Sequence, residues 1–234
     1  MEGWILGAKP SEFSIFFLHL RKRNTGDVIY KRLELLAVMM AMLLSVGCSE
    51  RQSAGHSSIL PPKTVLREGD VVFRIGGGLA SKAVLSIDPD GAYSHVGIVV
   101  RVGRRLMIVH AVPDEHEFDG DVDRVKLDAP DRFFDSHRAL AGEVCRPDDA
   151  GVAQRAALTA LATYRRGTLF DHDYNAADTT RMYCTELVAY AFDRAGRPIV
   201  GPPTHRFAVP GSKVVCWLPS DIHDSHFLRS IIKF

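Results

Sequence analysis

Cys184 is the residue in this chain best placed to act as a nucleophile. It opens the stretch Cys184-Thr185-Glu186-Leu187-Val188-Ala189-Tyr190-Ala191-Phe192-Asp193-Arg194-Ala195, which has helical composition, Gly196 as its stop and Pro198 just beyond. Cys184, Leu187, Val188, Ala191 and Phe192 share one face at helical spacing, so the thiol falls in the first turn on the side that packs inward. A helix N-terminus offers partial positive charge and free N–H groups, both of which favour a thiolate. The alternative for a cysteine on an apolar helix face is a small buried hydrophobe. A thiol nucleophile needs a base, and the base needs a group to orient it. His95 and His110 are the candidates. The expected roles are Cys184 as nucleophile, His95 as general base and acid, and His110 as the orienting group. The Cys184 backbone N–H is then a candidate oxyanion donor.

Two apolar runs must position the histidines. Tyr93 to Val100 and Arg105 to Val112 flank Arg101-Val102-Gly103-Arg104, which reads as a β-hairpin turn. With Val102-Gly103 as the loop, His95 stands directly opposite His110, with Cβ atoms about 4.5–5.5 Å apart on one face. A loop one residue longer puts the rings on opposite faces. Two unrelated, separately hydrogen-bonded histidines are the other reading.

Around this hairpin, Gly69-Asp70 opens a strand over 71–75, and a short helical pattern runs from Leu79 to Ile87. Gly76-Gly77-Gly78 lacks the Gly-Lys-Ser/Thr ending of a phosphate cradle and reads as a loop. The acidic stretch from Asp114 to Asp131 lacks EF-hand spacing and reads as an irregular solvated loop. Asp148-Asp149 offers an N-cap for a helix over 151–166, which Gly167 ends. A strand over 214–218 and a helix start at Pro219 close the chain, and His223 and His226 read as surface residues without matching metal ligands.

The chain of 234 residues is long enough for one sizeable domain plus extras. A formal charge of +1 and the lack of a basic block interleaved with aromatics give no case for nucleic acid. The four cysteines, Cys48, Cys145, Cys184 and Cys216, are too few for a disulfide scaffold and show no CxxC spacing. Whether Cys145 and Cys216 pair stays open. Lys31-Arg32, the apolar run from Leu35 to Leu44 and Ser45-Val46-Gly47-Cys48 have the layout of a secretory signal. Its end resembles the lipobox of bacterial lipoproteins, although Ser45 stands where that family prefers leucine. The expected organisation is a probable non-native extension at 1–27, a lipoprotein signal at 28–48 lipidated on Cys48, a flexible tether at 49–64 and a catalytic domain at 65–234. Ser49 after the cysteine suggests, by lipoprotein sorting rules, the outer membrane, with the domain facing the periplasm.

Gly69-Asp70-Val71-Val72-Phe73, Tyr93-Ser94-His95-Val96-Gly97-Ile98-Val99, Tyr183-Cys184-Thr185-Glu186-Leu187-Val188 and Leu218-Pro219-Ser220-Asp221-Ile222 together resemble the YiiX/YaeF-type permuted papain-like amidases of the NlpC/P60 superfamily. The likeness covers residues 65–234. It implies an α+β, circularly permuted papain-like fold, with an antiparallel sheet against helices and the cysteine at a helix N-terminus. It also implies thiol-dependent cleavage of an amide in a peptidoglycan peptide, an N-acyl amino acid or a lipid, with no cofactor and no metal. Many relatives have glutamate where this chain has His110, and a neutral imidazole there lacks the carboxylate's charge. Tyr93 and Tyr183 flank the two motifs as core aromatics or oxyanion supports. Three rivals use the same residues: a lecithin:retinol acyltransferase-like transfer of acyl chains, a zinc site of His95, His110 and Cys184, and a non-catalytic envelope lipoprotein.

Overall fold

The computed structural model describes residues 57–176, 178–209 and 212–234. The expected extension, signal, lipidated Cys48 and first part of the tether lie outside these. The chain runs β1 (Val71–Ile75), α1 (Leu79–Ile87), β2 (His95–Val102), β3 (Arg105–Val112), β4 (Arg124–Asp128), α2 (Pro130–Phe133), β5 (Ala141–Pro147), α3 (Ala150–Arg165), β6 (Leu169–Phe170), β7 (Arg181–Met182), α4 (Cys184–Arg194), β8 (His205–Val209), β9 (Ser212–Cys216), α5 (Pro219–His223) and β10 (Leu228–Lys233). Eight strands make one sheet in the order β10-β5-β1-β2-β3-β4-β6-β7, and β8 and β9 form a separate hairpin. The pairings β1–β2, β1–β5 and β2–β3 are antiparallel, while the short β6–β7 pair is parallel. The architecture is thus a mixed fold of one large sheet and several helices.

Successive strand residues point to opposite faces. Val71, Phe73, Val96, Ile98, Val100 and Val109 meet Ala156, Ala160, Leu187, Val188 and Phe192 of α3 and α4. Val72, Val99, Ile108 and Val144 meet Phe133 and Phe134 on the other side. Burial on both faces explains why β1, β2 and β3 are nearly continuous apolar runs rather than alternating ones. Asp149 caps α3 by accepting the N–H groups of Gly151 and Val152 at 2.8 and 3.0 Å. Gly167 follows α3 with φ +71°, the left-handed position that glycine adopts cheaply at a helix end.

Three expectations are corrected. The β2–β3 register runs from Ile98↔Val109 to Val102↔Arg105, so the loop is Gly103-Arg104, with Gly103 at φ +59° as the primed hairpin turns require. The shift is two residues, so face parity survives, but His95 and His110 are diagonal neighbours rather than opposite ones. Residues 124–128, expected to be irregular, form β4 against β3. Lys126 and Asp128 are both buried, so the charges face inward and the hydrophobic pattern of a strand is inverted. The end of the expected tether is packed: the Ile59 N–H donates to the Phe134 carbonyl at 2.8 Å, and Ile59 and Leu60 rest on the second cluster. Cys145 and Cys216 are free, buried thiols.

Candidate active site

The site begins at the first residue of β2. Antiparallel pairing with β1 sets Arg74 opposite His95. Extending the β2–β3 register puts Gly97 opposite His110. A Cβ on Gly97 would stand 3.1 Å from the His110 Cβ and 2.8 Å from the Ile108 Cγ2. The bare glycine therefore leaves room for His110 to lean diagonally towards His95. The result is a 2.9 Å contact between His95 Nε2 and His110 Nδ1, with the rings edge to face at 83°. Phe133 packs against both rings, at 5.7 and 5.1 Å between centroids.

Behind this pair stands a residue the sequence did not single out. His110 Nε2 lies 3.2 Å from Asp128 Oδ2, and both side chains are buried. The other carboxylate oxygen, Oδ1, lies 3.1 Å from the Arg132 Nε in an ion pair. An ionised carboxylate only accepts hydrogen bonds, so the network assigns each proton in turn. His110 Nε2–H donates to Asp128, His110 Nδ1 accepts from His95 Nε2–H, and His95 Nδ1 keeps its lone pair. A base with a free acceptor nitrogen is what a thiol nucleophile requires.

Cys184 is the first residue of α4. Around it, the Glu186 carboxylate accepts the Tyr183 N–H at 3.3 Å, Thr185 Oγ1 donates to the Trp217 carbonyl at 2.9 Å, and the Trp217 N–H donates to the Tyr183 hydroxyl at 3.1 Å. These bonds fix the helix start. The amides of Val96, Thr185 and Cys184 itself face the sulfur, which places it beside the peptide that follows His95. Cys184 and His95 line one cavity of about 390 Å³. The histidines project on the α2 side with Phe133, α4 packs on the other side, and Cys184 and His95 share the cavity wall.

Burial sets the protonation states. His95 is held well below the usual histidine range by desolvation, helped by the charge of Arg74 and by His110. His110 is lowered by burial, against the pull of Asp128. Burial pushes the Asp128 carboxyl up, but the His110 hydrogen bond and the charges of Arg132 and Arg138 outweigh it, and the net shift is downward. Burial pushes the Cys184 thiol up to about 11, against the three amides and Arg74. The resting pair is therefore a neutral thiol and a neutral imidazole, not the thiolate–imidazolium pair that the helix N-terminus alone suggests. Desolvation exceeds the helix contribution.

Arg74, also unforeseen, is 2% exposed. Its Nη1 donates to the Phe133 carbonyl at 2.7 Å, and its guanidinium stacks 4.6 Å over the Phe133 ring. It also pairs with Glu115, which pairs in turn with Arg138. The signal was legible as a charge in the otherwise apolar run 71–75. Tyr93 and Tyr183 are both core residues. The Tyr93 hydroxyl donates to Glu143 Oε2 at 2.7 Å and the Tyr183 hydroxyl holds Trp217, so both are engaged in structural bonds. Tyr183 and Tyr174 both line the cavity. His223, expected at the surface, bonds Glu143 Oε2 at 2.9 Å with its side chain 22% exposed. Among the described residues, His110, Glu115 and Asp128 have donor atoms within 4.8 Å of one another, close enough to share a metal ion.

No protein-family model and no curated relative matches the chain. Among solved structures, the fold is similar to the crystal structure of the metalloprotein yiiX from Escherichia coli O157:H7, DUF1105, with a TM-score of 0.55 and 19% identity. The match covers 72% of this chain and 97% of that one. The chain has a YiiX-like fold.

Proposed function

We propose that this chain is a cysteine hydrolase of the permuted papain-like, NlpC/P60 type, which cleaves an amide bond through Cys184, His95 and His110. The supporting observation is the 2.9 Å contact between His95 Nε2 and His110 Nδ1, which leaves His95 Nδ1 free for a proton, with His95 and Cys184 lining one cavity. His95 Nδ1 takes the thiol proton as the sulfur attacks the carbonyl carbon. The positive charge that appears on His95 is balanced through His110 by ionised Asp128. The Cys184 N–H faces the oxyanion, and Tyr174 and Tyr183 line the same cavity. His95 returns the proton to the departing amine. Water, deprotonated by the same nitrogen, then releases the acid from the thioester. The substrate class is an envelope amide, a muropeptide or an N-acyl amino acid or lipid, with the enzyme carried on a lipid at Cys48 in the outer membrane.

The second reading is metal-dependent, because the structural neighbour is described as a metalloprotein and His110, Glu115 and Asp128 are close enough to share an ion. Charge weighs against it. Arg74 and Arg138 already engage Glu115, and Arg132 engages Asp128, so three guanidiniums lie where a dication would add to them. The test is a screen of muropeptides and N-acyl lipids with the purified chain. Iodoacetamide and Cys184→Ala should both abolish turnover, with the melting temperature unchanged, while a chelator leaves it intact. Turnover that survives alkylation and dies with chelation overturns the thiol mechanism. A thioester that passes its acyl group to an amine faster than to water moves the chain to the acyltransferases.

A further inference from the structure

We propose that Glu143, Cys145 and His223 bind a zinc-like divalent cation at a site separate from the histidine pair. Glu143 and Cys145 are alternate residues of β5, so they share a face, opposite Phe73 and Val71 of β1. His223 ends α5 and brings its ring edge to face against Phe73 and tilted against Tyr93, at 5.2 and 5.3 Å. Three donors from two elements thus converge on one point. His223 Nε2 lies 2.9 Å from Glu143 Oε2, and Cys145 Sγ lies 3.5 Å from Glu143 Oε1. All three donors lie within 4.8 Å of one another. A tetrahedral zinc ion with bonds of about 2.0–2.3 Å spaces its ligands roughly 3.3–3.8 Å apart, so a few tenths of an ångström of opening accommodates it.

A second observation points the same way. The other ring nitrogen, His223 Nδ1, faces Asp224 Oδ1 at 3.3 Å. A carboxylate behind an imidazole can accept from the proton-bearing Nδ1 once Nε2 exchanges its Glu143 hydrogen bond for the ion. The Tyr93 hydroxyl donates to the same Glu143 Oε2 at 2.7 Å. The local charge fits as well. The cation paired with Glu143 is Lys233, 3.5 Å away and 62% exposed, in contrast to the three arginines around Asp128 and Glu115. On binding, the Cys145 thiol proton leaves to solvent and the His223 N–H moves to Nδ1. One thiolate and one carboxylate then neutralise the +2 ion. An imidazole, a thiolate and a carboxylate together select zinc-like ions over magnesium or calcium. The ion would clamp α5 to β5 and, through Tyr93, steady the residues leading into His95.

The experiment uses the full chain, stripped with a chelator and dialysed, then titrated with Co²⁺ as a spectroscopic probe and with Zn²⁺. One equivalent of Co²⁺ should give the near-ultraviolet charge-transfer band of a cobalt–thiolate bond, and Zn²⁺ should displace it and raise the melting temperature. Cys145→Ser should abolish the band and Cys184→Ala should keep it. Asp224→Asn should weaken binding about 10- to 100-fold. If Cys145→Ser fails to fold when stripped, His223→Gln at the partly exposed ligand gives the same reading through lost affinity. No Co²⁺ band, a band that persists in Cys145→Ser, or one that vanishes in Cys184→Ala overturns the site. No substrate turnover is involved, so its failure leaves the thiol mechanism standing.

Discussion

Asp128→Asn should cost more activity than removing His110 altogether. In the wild-type chain Asp128 Oδ2 accepts from His110 Nε2 at 3.2 Å, while Oδ1 forms an ion pair with the Arg132 guanidinium at 3.1 Å. An asparagine keeps its carbonyl oxygen toward Arg132, the nearer guanidinium at 3.1 Å against 3.7 Å for Arg138 on the other oxygen, because a cation repels an NH₂ group. Its NH₂ then points at His110 and donates to Nε2. His110 responds by carrying its proton on Nδ1 and donating it to His95 Nε2. His95 in turn holds its proton on Nδ1, the nitrogen that should receive the thiol proton. The fold is intact and the base is blocked. A wrong tautomer of this kind costs roughly 10³- to 10⁴-fold in turnover, about 4–5.5 kcal/mol at the transition state.

His110→Ala, by contrast, leaves His95 free to adopt either tautomer, so it should lose less. The double variant Asp128→Asn with His110→Ala should then turn over no more slowly than His110→Ala, a large departure from additivity. Turnover of the amide found by screening reads the effect, and the rate of Cys184 alkylation by iodoacetamide reads the same proton transfer without a substrate. The tautomer argument fails if Asp128→Asn stays within tenfold of the parent, or if the double variant multiplies the two losses.

Gly97→Ala tests the space that brings the rings together. The added carbon meets Ile108 Cγ2 at 2.8 Å and the Val109 carbonyl at 3.0 Å, and backbone in a central strand gives way poorly, so about 1–3 kcal/mol of stability should be lost. Turnover should fall at least tenfold in protein that still melts cooperatively; full activity would separate Gly97 from the histidine contact. Glu186 sets a pH dependence of stability. It is 2% exposed, its Oε1 has no hydrogen-bond partner, and burial, against the Tyr183 N–H and with Asp171 and Asp178 adding, lifts its carboxyl to about 8. The unfolded chain gives up this proton near pH 4.5 and the folded chain only near 8, so the folded state binds more protons between them and stability falls as pH rises through that window. Denaturant unfolding should show Glu186→Gln gaining on the parent between pH 5 and pH 8, by an amount on the order of 3–5 kcal/mol; an equal difference at both values would refute the assignment.

Local signals of the fold were legible because local chemistry wrote them. Asp149 ahead of a small-residue helix, Gly167 and Gly196 at helix ends, and the run 71–75 each have one cheap conformation. The helix starting at Cys184 and the pairing of two strands through a glycine turn belong to the same class. The turn's register was misread by two residues because the first loop position was given to Val102, whereas both primed turns need φ > 0 there, which Gly103 supplies at +59° and a β-branched residue resists. Strand β4 was invisible for a different reason. Its buried charges, Lys126 and Asp128, are paid for by partners distant in sequence or hidden in a loop: Asp121 at 3.0 Å from Lys126, and His110 and Arg132 about Asp128. Residue pattern alone shows these as an acidic solvated stretch. His223 was lost in the same way, since its partner Glu143 lies 80 residues earlier.

The missing carboxylate answers the question that His110 raised. A lone imidazole in the third position leaves the charge on His95 unanswered when the thiol proton arrives. Here His110 transmits rather than supplies that charge, since ionised Asp128 stands directly behind it. The two histidines cannot hold charge at rest, because burial and Arg74 both oppose it. A proton therefore enters the pair only when the sulfur gives one up, and its cost is met by a carboxylate already in place. The same three arginines that surround Asp128 and Glu115 also make this face hostile to a dication. The proposed thiol site and the proposed metal site thus lie on faces of unlike charge: one rich in guanidinium, the other holding a carboxylate, a thiol and an imidazole with one exposed lysine beside them.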